Sequence, residues 1–165
     1  MNSKKTFEKE AANRVLSHWN VNAPEDRLAH LVKDTSKAFD RQLQQRLADR
    51  DIPIGYWNYL RILWKKEGLT KKEISIEAGV MEPSAFVALK AMEEAGFIYF
   101  EKKEENKKNV YVFLTEKGRQ LETQLIPLAI DVNALAAEGV TAAELSTTRK
   151  VLLKMLVNLS AQPED

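Results

Sequence analysis

The chain has no cysteine among its 165 residues, which excludes disulfides and thiolate metal sites and gives it no stake in the redox state of its compartment. Histidine is almost as scarce: His18 and His30 are the only two, and without a His-x-x-x-His pair a zinc ion has no ligand set. There is no glycine-rich phosphate loop and no nucleophile elbow, so the usual signatures of nucleotide-dependent and hydrolytic catalysis are missing. Carboxylates are plentiful, but they read as helix-surface residues with lysines four positions on, Glu67 and Lys71 for example. No segment reads as a signal peptide, and no apolar run is long enough to span a bilayer. The expected compartment is the cytoplasm; no membrane, metal or cofactor is implied, and an enzyme is the poorest fit. An excess of one charge is lacking too. With 25 basic and 24 acidic residues the net charge is +1, so attraction to a polyanion must come from local arrangement.

What is present is concentrated between Leu69 and Gly118. Thr70 with Glu73 three residues later forms a capping box that opens a helix over 70–77. Gly79 stands where that helix must turn, because a residue without Cβ enters the left-handed region cheaply. A second helix spans 82–95, with Pro83 in its first turn and Ala85, Ala88, Leu89 and Met92 gathered on one inward face. Gly96 ends it. The β-branched and aromatic runs Ile98–Lys102 and Asn109–Leu114 read as strands, joined by a charged segment too polar to be buried. Two helices across a tight turn followed by a hairpin describe a winged helix-turn-helix, whose second helix is shaped for the major groove.

A chain of this length suits one domain or two small lobes and can bury a real core. Residues 1–24 are an N-terminal extension in which Phe7, Ala11, Val15, Leu16 and Trp19 can form a short amphipathic helix. Over 25–50 the positions Leu28, Leu31, Val32, Phe39, Leu43 and Leu47 keep a helical period, giving a rod roughly 39 Å long, more than the adjoining lobe can cover. A helix over 56–67 turns Trp57, Leu60, Leu63 and Trp64 inward. Thr115 caps a helix through Leu121, Leu125, Leu128, Val132 and Leu135, which Pro127 is expected to bend and Gly139 to end. Thr141 and Glu144 form a second capping box and open a last helix with Leu145, Leu152, Met155, Leu156 and Leu159. The expected fold is therefore mainly α with a small β-hairpin wing: a winged lobe over 51–114 plus a helical region, 25–50 and 115–160, that interlocks with a second copy across a two-fold axis. A monomeric helical lobe is the alternative.

The order Gly68-Leu69-Thr70, Glu73-Ile74, Glu93-x-Ala95-Gly96-Phe97-Ile98, a charged wing, then Leu114-Thr115-Glu116-Lys117-Gly118 resembles the MarR family of bacterial transcriptional regulators over about residues 28–159. That resemblance implies a homodimer, a palindromic double-stranded DNA operator and a small phenolic or aromatic-acid effector.

On the outer face of the second helix lie Glu82, Pro83, Ser84, Phe86, Val87 and Lys90. Ser84 can hydrogen-bond a base edge, Glu82 can accept from a cytosine amino group, Phe86 or Val87 can meet thymine methyls, and Lys90 can reach a phosphate. Members of the family often carry a basic or polar residue at Val87, and an Asp-x-Arg at the wing tip where this chain has Asn106-Lys107-Lys108. A helix phase shifted by one residue would instead place Phe86 and Val87 in the core, and a protein-docking surface is a further reading. In the wing, Lys102, Lys103, Lys107 and Lys108 can follow the backbone, although lysine reads the minor groove less well than arginine and a mixed-charge hairpin is often simply solvated. Lys71 and Lys72, at a helix start, are phosphate anchors or a solvent-facing first turn.

Proteins of this kind hold aromatic acids between the dimer helices and the winged lobe. The corresponding candidates are Ser36, Phe39, Asp40 and Arg41, with Trp57, Asn58 and Arg61. Arg14, His18 and Trp19 are placed to close over them. An arginine can take a carboxylate in a bidentate pair between apolar walls. Core packing is the alternative for Phe39 and Trp57, and plain surface exposure for Arg14 and Arg41.

Overall fold

The computed structural model describes residues 28–103 and 106–160. Residues 1–40 and 41–165 form two compact units. The described part of the first is the leading stretch of helix α1, Leu28–Ala48. In the second unit, Leu43 and Leu47 of α1 are buried. It continues through α2 (Ile54–Lys65), β1 (Leu69–Thr70), α3 (Lys71–Ala78), α4 (Glu82–Glu94), β2 (Ile98–Lys103), β3 (Asn106–Leu114), α5 (Glu116–Ala136) and α6 (Ala142–Ser160). No helix among the described residues is long and apolar enough to cross a membrane.

Local chemistry sets the element ends. At α3 the Thr70 hydroxyl accepts from the Glu73 amide at 3.2 Å, while the Glu73 carboxylate accepts from the Thr70 amide at 2.7 Å. Each group satisfies a donor that the helix start leaves free. Gly79, at φ 65°, closes α3 in the left-handed region. At α5 the Thr115 hydroxyl accepts from the Gly118 amide at 3.0 Å. The capping box of Thr141 and Glu144 opens α6 in the same manner as that of α3. Several expected boundaries differ: β3 begins at Asn106 and not Asn109, α1 ends at Ala48 and not at 50, and α2 and α5 are shifted. Helix α2 begins at Ile54 and ends at Lys65, because Pro53 leads directly into the first turn, where its missing N–H is harmless. Helix α5 ends at Ala136, three residues before Gly139, its last carbonyls already satisfied by the Ala137 amide. Pro127 lies inside α5, which runs on past it.

The sheet is antiparallel in the order β1–β3–β2. Leu69 pairs with Val112, and Ile98, Tyr99 and Phe100 pair with Leu114, Phe113 and Val112. Alternation sends Leu69, Ile98, Val112 and Leu114 into the core with Leu60, Leu63, Ile74, Ala85, Leu89 and Met92. Tyr99 and Phe113 stack together, ring centres 5.5 Å apart. The two-residue strand β1 was not expected from sequence; it exists only through its pairing with β3.

Candidate nucleic-acid interface

Helices α3 and α4 join through the Gly79–Met81 turn, and α4 packs its Ala85–Leu89–Met92 seam inward with no measurable exposure. That seam fixes the helix phase. Glu82, Pro83, Ser84 and Lys90 are exposed, Phe86 is 38% exposed and Val87 69% exposed. Phe86 and Val87 are therefore surface residues, not core residues. Lys90 lies 3.8 Å from Glu93 on its own helix, a weak exposed pair. Lys72 is exposed. Lys71 is half-buried, its ammonium 4.1 Å from the centre of the Phe86 ring and 4.8 Å from that of Phe100. This cation–π contact ties the start of α3 to α4 and β2. In the wing Lys102 is exposed, while the side chains of Lys103, Lys107 and Lys108 lie outside the described set.

The described candidates for a sensor site are divided between the two units. Arg14, His18 and Trp19 lie outside the described residues. Ser36 and Asp40 are exposed on α1 and Phe39 is half-buried; all three belong to the first unit. Arg41 is exposed. Trp57 is a core residue, edge-on to Trp64 at 5.9 Å. Asn58 and Arg61, however, line a cavity of about 380 Å³ with Ile62, Lys65, Lys66, Leu69, Glu77 and Ala78. The Arg61 guanidinium is 5.8 Å from the Trp57 ring centre. No ion pair ties Arg61, Lys65 or Lys66 to an acid among the described residues. The cavity therefore offers three cationic side chains against one carboxylate, a field suited to an anion.

The expected pairing of Glu67 with Lys71 is not formed. Glu67 follows the end of α2 and Lys71 opens α3, so the two share no helical turn. Glu67 instead accepts both nitrogens of an Arg119 fork at 3.0 and 2.9 Å, and the Leu114 amide at 3.0 Å. The same corner holds a second clamp that sequence reasoning passed over. The Thr115 hydroxyl donates to the Gly96 carbonyl at 2.7 Å, Lys117 donates to the Ala95 carbonyl at 2.9 Å, and Trp64 donates to the Gly118 carbonyl at 2.9 Å. A Cβ on Gly118 would strike the carbonyl of Phe97. The Ala95-Gly96-Phe97 and Thr115-x-x-Gly118 signatures, read separately in the sequence, thus close on each other and fix where α4 ends relative to the wing.

A self-contained winged helix-turn-helix, with an accessible second helix, is the class that this fold and surface define. Residues 52–110 match the MarR family. Over 101 residues the chain is 38% identical to the HTH-type transcriptional regulator Hpr of Bacillus cytotoxicus, covering 61% of this chain and 54% of that protein. It thus spans about half the length of the curated relatives it matches. Among solved structures it is similar to the transcriptional regulator SlyA, with a TM-score of 0.75 and 25% identity over 81% of this chain and 94% of that one. It shares its fold with a MarR family regulator from Listeria monocytogenes crystallised with 26mer DNA, at a TM-score of 0.74 and 23% identity over 84% and 97% of the two chains. The chain is thus similar to the MarR family over residues 52–110.

Proposed function

We propose that the chain is a cytoplasmic DNA-binding transcriptional regulator of the MarR type, acting as a homodimer on a palindromic operator and repressing by blocking promoter access. The observation that carries this reading is the exposed face of α4, where Ser84, Val87 and Lys90 project from a helix whose opposite seam is fully buried. In the proposed complex Glu82, Pro83, Ser84, Phe86 and Val87 face base edges. Lys72 and Lys90 meet phosphates, and the wing lysines Lys103, Lys107 and Lys108 follow the backbone. Lys71, held over two aromatic rings, acts chiefly by fixing α3 against α4. Dimerisation is proposed on the helices of 25–50 and 115–160, where Leu28 and Leu31 of α1 and Leu152, Leu153, Leu156 and Leu159 of α6 are exposed.

The effector in this reading is a small aromatic or phenolic acid. The cavity beside Asn58 and Arg61 supports the acid part of that assignment, because its cations, with no close ion pair among the described residues, would receive a carboxylate. A ligand there would bridge α2 and α3, and it would shift DNA affinity only by binding one arrangement of the reading helices better than the other.

A mobility-shift titration with the DNA upstream of the protein's own gene tests the core of the reading. Saturable, salt-sensitive binding that survives competitor DNA is expected; binding no tighter than to random DNA would overturn it. The second reading, a winged-helix protein-interaction module, draws on the near-neutral charge and on exposed Ile76 and Met81 beside α4. It would be favoured by an absence of DNA binding at every salt concentration.

A further inference from the structure

Given the DNA-binding reading above, on which this inference rests, we propose that α4 recognises its site through the methyl groups of thymine, with Val87 as the specificity-determining side chain. At 3.6 residues per turn, the positions facing directly away from the buried Ala85–Leu89–Met92 seam are Val87, in the middle of the helix, and Glu94, at its last residue. The 69% exposure of Val87 agrees with that placement. Pro83, one turn earlier, lies on the same stripe and is exposed, with Ser84 at its flank. The whole helix, EPSAFVALKAMEE, contains no arginine, asparagine or glutamine. Those are the side chains that read guanine or adenine by paired hydrogen bonds.

The two nearest lysines do not replace them. Lys90 stands nearly a turn beyond Val87 beside Glu93, and the Lys71 ammonium is occupied by the Phe86 and Phe100 rings. Over the first two turns of α4 the outermost stripe presents an isopropyl group and a pyrrolidine ring; Glu94, on the same stripe, stands two turns further on at the helix end. In the major groove the apolar feature that complements those two groups is the C5 methyl of thymine. Exposed Lys90, the next residue along this face of α4, and exposed Lys72 in the first turn of α3 complement phosphates, which favours a duplex over an apolar protein surface as the occupant.

The test uses the full chain and duplexes enriched by it from a random-sequence pool. Replacing each thymine in turn by deoxyuridine removes only the methyl and keeps the pairing and the groove acceptors. One position per half-site is expected to lose about fourfold in affinity, equivalent to ~0.8 kcal/mol for one buried carbon. In Val87→Ala, whose exposed side chain leaves the core untouched, that penalty at the same position disappears. Deoxyuridine tolerated at every position, an enriched site with only G·C pairs beneath the helix, or an undiminished penalty in Val87→Ala would each overturn the inference while leaving the regulator reading intact. Failure to enrich any duplex would overturn both.

Discussion

The winged lobe and the last helix contain the same kinds of apolar residue and use them in opposite ways. In the lobe, Leu60, Leu63, Ile74, Leu89, Met92 and Val112 show no exposure at all. In α6 no residue is buried, and Leu156 and Leu159 are 61% and 74% exposed. Yet α6 is as well begun as any helix in the lobe, with a complete capping box at Thr141 and Glu144. Caps set where a helix starts; they do not give it a reason to persist, since an isolated helix of this length is marginal in water. The lobe completes itself within one chain, whereas α6 carries a hydrophobic face suited to a second body. A second copy is the economical candidate, and this is the basis of the dimer proposed above.

Substitutions can break or sharpen that contrast. The largest effect is expected inside the lobe: Leu89→Ala should cost about 4 kcal/mol through lost burial and a residual cavity, read as a shift in the urea midpoint by circular dichroism. Leu156→Glu should leave the lobe's own unfolding transition in place while weakening self-association about a hundredfold, ~2.7 kcal/mol, read by sedimentation. If Leu156→Glu instead unfolds the lobe and leaves the mass unchanged, the contrast between the two regions is wrong. At the corner between α2 and α5, Glu67→Ala should cost about 2 kcal/mol, since it strips a charged acceptor from both Arg119 and the Leu114 amide.

The smallest effect is that of a cap. Thr70→Ala should cost about 1 kcal/mol near neutral pH. Hydrogen bonds from the Thr70 amide and then its hydroxyl hold the Glu73 carboxyl below its ordinary value of 4.5. A carboxyl lowered by folding contributes stability that is complete above its unfolded pKa and is lost as the pH falls through the folded one. The difference between wild type and Thr70→Ala should therefore shrink as pH falls from the ordinary value of 4.5 through the lower folded one. A difference that is constant with pH would show that the Thr70 hydroxyl contributes nothing to holding the carboxylate, the residue-70 amide being kept in the variant. Glu144, lowered first by the Thr141 hydroxyl and then by its amide, follows the same sign.

What the sequence made legible was what neighbouring residues decide. Both capping boxes, the left-handed turn at Gly79 and the inward phase of Ala85, Leu89 and Met92 all depend on spacings of three or four residues. What stayed hidden depends on residues far apart in the chain. Strand β1 is two residues long and is defined by pairing with β3. The Glu67–Arg119 fork joins positions 52 residues apart, and nothing local distinguishes it from the Glu67–Lys71 pair that spacing suggested. The Thr115-x-x-Gly118 signature was visible, but its reason, the Phe97 carbonyl against Gly118, appears only when the chain has closed. In the candidate site, the outward phase of α4 could be read from its buried seam. The cavity beside Arg61 could not, because Lys65, Lys66 and Glu77 reach it from two different helices and the turn between them.

The central claim is that two chains, joined through faces such as that of α6, present two α4 helices to one duplex. Sedimentation of the full chain, alone and with an enriched duplex, combined with a footprint of that duplex, tests it most directly. The account predicts a dimer in isolation, two chains per duplex, and two protected half-sites centred about 10 base pairs apart or at a multiple of that spacing. A single chain in solution that occupies one isolated half-site would contradict it.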